Sequence, residues 1–494
     1  MSLNTFGIWF GFRGYASLQR EGISRYTVNL IKYLIKNFKI RCEIWVYNVN
    51  KKEVELLFSD LLNDKFTSNF ISIYTESYYI NIKCKLHRYM YFKNSWNINL
   101  LLKEENLVSW KRPYEDYIVA ISYNNINKNI FYIIVDHILM GLLMFKGIYD
   151  KTTSKYLNIK KKNNKTFNDT LVMAANQFSQ ADCFLIPVFL WVNALKLRKR
   201  KIIALHDLHL YDFYDLFMKE WDREHTGKWK WTFDSSINKI EEHLKYNNDI
   251  LFISNCDYVR KNHTLKYIKN VKAELTDYVY LPVIIPDNID NRIVSEATLK
   301  KKYNINSRYI FFPTQIRPYK NVITLLKSLK LLLDKEYEIK LVLTGKLNDS
   351  KIASKYASEN NLWNNIIETG DVPEEDLYSL HKYAVATVVT SLFEGGFPWP
   401  ALEAMYMNTP AIIAKIEPAV ERIEALGYKI ENSGLLFFEP MDYKSLAEHI
   451  EYVICNREKI VYEQRNIKNV LLNYTWDDVS KQYYNIIDKF ILNN

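Results

Sequence analysis

Two carboxylates, Glu394 and Glu403, bracket a stretch that could bind an anion. The segment Ser391-Leu-Phe-Glu-Gly-Gly-Phe-Pro-Trp-Pro-Ala-Leu-Glu403 places Gly395, Gly396, Pro398 and Pro400 between them. An apolar run at 385–389 precedes it and an apolar helical pattern follows, so it reads as strand, tight loop and helix start. Such a loop exposes backbone N–H groups, and N–H groups at a helix N-terminus attract anions. Two carboxylates flanking an anion site suit a ligand bearing both phosphate and hydroxyl groups. The alternative is an ordinary buried turn whose glutamates are merely solvated.

Two further constellations carry matching chemistry. In Phe311-Phe-Pro-Thr-Gln-Ile-Arg317-Pro-Tyr-Lys320-Asn321, two cations follow a strand and Asn321 can cap the next helix. Arg can hold a pyrophosphate with two parallel bonds, while Lys adds a mobile charge. In Ala204-Leu-His206-Asp207-Leu-His209, an imidazole sits at the end of an apolar strand, with Asp207 able to support its orientation. A solvated basic turn and a core histidine with a helix cap are the structural alternatives. A metal site of His206, His209 and Asp212 is a third reading, and no ligand cluster elsewhere supports it.

These residues need strands to end where they stand. In the second half, strands are expected at 309–312, 340–344, 366–369, 385–389 and 411–414, with helices at 322–333, 352–359, 377–382 and 401–407. That alternation means βαβ units and a parallel sheet covered by helices, with binding at the strands' C-terminal ends. Arg317, Lys320, Gly345, Gly370 and Glu394 all fall there. The first half begins alike: a strand at 6–10, a loop at 11–22 with Gly14 and Gly22, a helix at 23–38, and strands at 40–47 and 71–74. A Tyr-, Asn- and Lys-rich insertion of mixed structure is expected at about 76–168. Regularity resumes with a helix at 170–178 and strands at 183–189, 202–205 and 250–254. Two prolines in Leu281-Pro-Val-Ile-Ile-Pro286 mark the seam, and residues 476–490 show a helical apolar face.

At 494 residues, 48% hydrophobic and 25% charged, the chain suits two folded domains. Five dispersed cysteines point to a reducing compartment. No leader with a basic start and apolar core is visible. The apolar runs at 131–145 and 183–195 are broken and fall short of a bilayer span. The chain reads as cytoplasmic, and its net charge of +10 is compatible with phosphorylated ligands or an anionic inner membrane face.

The segment 391–411 resembles the acidic signature of retaining glycosyltransferases of the two-domain GT-B fold, family 4, also called group 1. The eight residues 395–402 between the glutamates are one more than that family usually has, and its usual arginine lies further upstream of the lysine than Arg317. The resemblance implies two Rossmann-like domains with a cleft between them: residues 1–285 on the acceptor side, residues 286–475 on the donor side, and a C-terminal helix at 476–494 returning to the first. It implies a catalytic group of His206, Asp207 and Glu394, with His206 near the donor sugar and Glu394 on that sugar's hydroxyls. Glu403 would take the ribose hydroxyls. The diphosphate would lie on Lys320, Arg317 and the backbone of Gly396, Phe397 and Trp399. Gly22, Gly345 and Val372 resemble the family's nucleotide-contacting turns, Val372 lying along the base, and Arg13 and Arg25 are lesser candidates.

The implied substrate is a UDP- or GDP-sugar and the implied partner a glycan, lipid-linked or protein acceptor, with no metal, since no Asp-x-Asp ends a strand. A nucleotide-sugar epimerase, a phosphorylase or a non-catalytic partner subunit remain alternatives. A nucleic-acid binder would need exposed basic clusters interleaved with aromatics. The one compact basic run, residues 196–201, leads directly into an apolar strand, so no nucleic-acid partner is expected.

Overall fold

A computed structural model describes residues 3–12, 22–76, 169–220 and 223–492. Arg13, Gly14 and all of the expected insertion beyond residue 76 lie outside the described residues. The chain divides into two compact units, residues 1–187 with 191–201, and residues 188–190 with 202–494.

Among the described residues, thirteen strands form two sheets. The first contains β1 (Thr5–Phe10), β2 (Arg41–Val46), β3 (Ile71–Tyr74), β4 (Cys183–Ile186), β5 (Arg200–Leu205), β6 (Ile250–Ser254) and β7 (Thr276–Tyr278). Its order is β3-β2-β1-β4-β5-β6-β7. In the first unit β1 pairs in parallel with both β2 and β4, and five consecutive residues of β1 are buried. A strand buried on both faces reads as an unbroken apolar run. Helix α1 (Gly22–Phe38) follows β1 and buries Tyr26, Leu30, Ile31, Leu34 and Ile35 along one stripe. Helix α2 (Thr170–Phe178) is capped by Asp169, whose side chain accepts from the Leu171 and Val172 amides.

The second sheet contains β8 (Arg308–Phe312), β9 (Ile339–Leu343), β10 (Ile366–Glu368), β11 (Ala386–Val389), β12 (Ala411–Ala414) and β13 (Leu436–Phe438). It runs β10-β9-β8-β11-β12-β13, with β8 parallel to both β9 and β11. The strand order therefore reverses between β8 and β11. In an open parallel sheet that reversal leaves a crevice at the strands' C-terminal ends, where ligands bind. Helices α4 (Val322–Asp334), α5 (Lys351–Glu359), α6 (Glu374–Tyr383), α7 (Trp399–Tyr406) and α8 (Glu417–Ala425) connect these strands. The long α9 (Tyr443–Asn473) and α10 (Trp476–Leu492) close the chain. One apolar core joins Ile310, Phe312, Leu325, Leu341, Val388, Leu402, Ile412 and Ile450.

The expected strand at 183–189 ends earlier, at Ile186, because Pro187 offers no N–H to continue a ladder. Helix α3 (Arg223–Leu244) falls in a region to which the sequence analysis assigned no element. No helix among the described residues is long and apolar enough to cross a membrane.

Candidate functional site

The loops after β8 and β11 meet at the point where the strand order reverses. Leu392 N–H donates to the Tyr319 carbonyl at 2.8 Å, Thr390 Oγ1 donates to the Lys320 carbonyl at 2.7 Å, and Asn321 Nδ2 donates to the Thr390 carbonyl at 3.2 Å. Asn321 can do this because its backbone is left-handed, φ 52°, a conformation that Asn tolerates. These bonds set two side chains face to face. Lys320 Nζ lies 2.5 Å from Glu394 Oε1, and Ser391 Oγ donates to the same oxygen at 2.5 Å. Burial alone would lower the Lys320 pKa; the charge and hydrogen bond of Glu394 outweigh it and hold the ammonium above its ordinary value.

The end of β5 adjoins this loop. A Cβ on Gly395 would stand 2.7 Å from the His206 carbonyl oxygen, so only glycine allows the approach. The His206 ring meets Asn255 Oδ1 through Nδ1 at 3.0 Å. Asp207 was expected to orient His206; its carboxylate instead bonds His209 Nδ1. The chain turns after Leu208, which brings residues 207 and 209 to the same side. Burial would raise the Asp207 carboxyl, but the charge and hydrogen bond of His209, helped by His263 and His206, hold it below the usual carboxylate range. The His209 ring lies 4.3 Å from that of Tyr319 and 5.9 Å from that of Phe393. The Asp207–His209 pair thus braces the aromatic neighbours of Lys320 and Glu394.

His263 supports the same loop from beneath and was not anticipated. Its Nδ1 accepts the Leu208 N–H at 2.8 Å, its Nε2 lies 2.9 Å from Asp212 Oδ2, and its ring packs 4.9 Å from that of Phe393. Asp212 and His209 are therefore committed to other partners than His206. Among the described residues no group of three or more His, Cys, Asp or Glu side chains could hold a metal ion.

Of the remaining candidates, Glu403 is 5% exposed, on the inner face of α7. Gly396 is open, since a Cβ there would meet nothing within 4 Å. Phe397 puts its side chain into the core. The helix start at Trp399 has no side-chain cap. Arg317 Nη2 donates to Gln315 Oε1 at 2.9 Å. Gly345 lies against the loop that carries Arg317, its would-be Cβ 2.8 Å from the Thr314 carbonyl. Val372 packs against the cluster of Leu299, Ile305, Tyr309 and Phe311. Gly22 is the exposed first residue of α1, in the first unit. In the basic run at 196–201, Lys196, Arg198 and Lys199 are exposed, while Lys201 is fully buried, its ammonium donating to the Lys199 carbonyl.

The two parallel sheets with covering helices are the α/β architecture of GT-B proteins, and solved structures of that kind match nearly the whole chain. HepE from Anabaena, in complex with UDP and glucose, matches with a TM-score of 0.57 at 11% identity, over 98% of this chain and 99% of that one. A TarM mutant from S. aureus, in complex with fondaparinux, alpha-GlcNAc-glycerol and UDP, matches with a TM-score of 0.55 at 12% identity, over 98% and 100%. A glycosyltransferase from Rickettsia africae matches with a TM-score of 0.54 at 16% identity, over 100% of both chains. In sequence, residues 295–469 match the family model described as glycosyl transferases group 1. No curated protein matches the chain in sequence.

Proposed function

We propose that the protein is a retaining glycosyltransferase that moves a sugar from a UDP- or GDP-sugar to a hydroxyl acceptor in polysaccharide, glycolipid or glycoprotein synthesis. The observation that carries this reading is the Lys320–Glu394 pair at the strand-order reversal, inside the segment matched to group 1 glycosyl transferases. That segment also holds Arg317, Gly345, Val372, Gly396, Phe397 and Glu403. A cation held against a carboxylate suits a ligand whose phosphate and sugar lie side by side.

In this reading Lys320 and Arg317 neutralise the charge that grows on the departing nucleoside diphosphate, with the amides of Gly396, Phe397 and Trp399 adding to that field. Glu394 binds hydroxyls of the donor sugar and keeps Lys320 in place. Glu403 takes the ribose hydroxyls, and Val372 and Gly345 line the nucleotide. His206 faces the donor sugar, and the Asp207–His209 pair keeps its loop in position. The acceptor hydroxyl attacks the face from which the diphosphate leaves, so the protein's contribution is orientation and leaving-group stabilisation. Residues 286–475 serve the donor; residues 1–285, with Gly22 and the segment 476–494, serve a glycan, lipid-linked or protein acceptor. The reaction runs without a bound metal, at the cytoplasmic side of the cell membrane.

The test is release of nucleoside diphosphate from a panel of UDP- and GDP-sugars, with and without candidate acceptors, by wild type and Glu403→Ala. Turnover of one donor with loss in the variant supports the proposal. An isomerised donor released without acceptor would mean an epimerase instead.

A further inference from the structure

Beneath Glu403 lies a histidine that the transfer reaction as described does not use. His381, in the last turn of α6, is completely buried. Its Nδ1 lies 2.8 Å from Thr387 Oγ1 on β11, and its ring meets the edge of Phe311 at 4.9 Å and 81°. Its Nε2 has no hydrogen-bond partner and stands 3.5 Å from Glu403 Oε2. Leaving a buried ring nitrogen without a partner is costly, and the charged group that faces it is the carboxylate assigned to the ribose. Facing a carboxylate, Nε2 carries the proton, which leaves Nδ1 to accept from the Thr387 hydroxyl. Thr387 is itself fixed in the middle of the sheet, opposite Phe311 of β8 and Ala411 of β12.

The backbone ties the two residues together as well. Thr409 Oγ1 donates to the His381 carbonyl at 2.7 Å, and Thr409 N–H donates to the Ala404 carbonyl at 2.9 Å. One residue thereby clamps the end of α6 to the helix that carries Glu403.

We propose that His381 is a positioning residue: through Nε2–H it holds the Glu403 carboxylate at the angle from which it accepts the ribose hydroxyls of the nucleotide. This rests on the reading of Glu403 as the ribose ligand. At 3.5 Å the Nε2–H falls short of a hydrogen bond and acts as a charge-facing dipole beside one oxygen, which leaves the carboxylate's acceptor directions to the sugar.

The experiment measures the affinity of UDP and dUDP, and of GDP and dGDP, for wild type, His381→Asn, His381→Gln and Glu403→Ala. The ribose-to-deoxyribose ratio is the readout, since a partly misfolded sample changes the amount of competent protein and not the ratio. Asn can replace Nδ1 towards Thr387 but not Nε2; Gln can place its amide nitrogen where Nε2 stands. Wild type is expected to prefer the ribonucleotide. His381→Asn should lose roughly tenfold in ribonucleotide affinity and little for the deoxy form, like Glu403→Ala, while His381→Gln keeps the preference. A wild-type ratio in His381→Asn overturns the inference and leaves the reading of Glu403 standing. Equal collapse in both His381 variants assigns the loss to ring packing and overturns it too. A wild type that binds diphosphates without preferring ribose, or that binds none, removes the reading of Glu403 and the inference with it.

Discussion

Lys320 and Glu394 are 14% and 22% exposed and lie 2.5 Å apart, so each depends on the other more than a surface pair would. Glu394→Gln leaves the ammonium without its anion and is expected to cost about 1–2 kcal/mol in urea unfolding, less than a fully buried break because water still reaches the pair. Turnover should fall by about 100-fold or more, as when a preorganised charge is removed from a transition state. The adjacent glycines should separate stability from binding. Gly395→Ala drives a methyl to 2.7 Å from the His206 carbonyl and should cost about 1–3 kcal/mol. Gly396→Ala meets nothing within 4 Å, should unfold like wild type, and should weaken nucleotide-sugar binding because its methyl enters the open space proposed for the diphosphate. At this scale the sequence offered motifs where types clustered: Glu394 with Glu403, Arg317 with Lys320, and His206 with Asp207 each stand close enough along the chain to suggest one. His263 and His381 were not legible. Each is a lone histidine in a helical segment, and its meaning comes from partners such as Leu208 and Glu403, 55 and 22 residues away.

Single elements position these groups, and the turn after β5 has a built-in pH dependence. His263 accepts the Leu208 N–H at Nδ1 and faces Asp212 at Nε2, so the folded ring works as the neutral form with its proton on Nε2. Burial lowers its pKa below the ordinary value, against the opposing pull of Asp207 and Asp212. The unfolded ring takes up its proton near pH 6.5, before the folded ring does. Between those values the unfolded state binds more protons, so stability falls as pH falls; above about pH 6.5 this contribution is fully present. The melting temperature should therefore drop between about pH 7.5 and about pH 5.5, and His263→Gln, less stable at the upper pH, should show a smaller drop. Strands of the second half were legible to within a residue or two because apolar runs alternate regularly with helical patterns. Strands β7 and β13, at three residues each, are too short to establish a period. Helix α3 carries so many charged and polar residues that no apolar stripe stands out.

Across the second unit, residues far apart in sequence are joined by one buried cation. The Arg422 guanidinium lies 4.4 Å from the ring of Tyr280 and 4.6 Å from that of Tyr474, and Tyr474 Oη donates to the Tyr280 carbonyl at 3.0 Å. Its neighbour Glu421 accepts from Tyr280 Oη at 2.6 Å and from the amides of Asp257 and Tyr258. The cluster links the end of β6, the segment after β7, helix α8 and the junction before α10. Arg422→Ala should cost about 2–4 kcal/mol by thermal or urea unfolding. Arg422→Lys should recover only part of that, because an ammonium cannot stack flat between two rings. None of this was visible in the sequence, where Arg422 is one charge in an amphipathic helix and Tyr280 one tyrosine of 37.

Lys320 is the cation on which the proposed nucleotide-sugar site depends. Calorimetric titration of UDP, UDP-glucose and GDP into wild type and Lys320→Ala tests it directly. At least one of the three should bind wild type, with affinity at least about tenfold weaker in the variant, through loss of a charge-assisted contact to phosphate. Binding of equal strength to both proteins, or to neither, would contradict it.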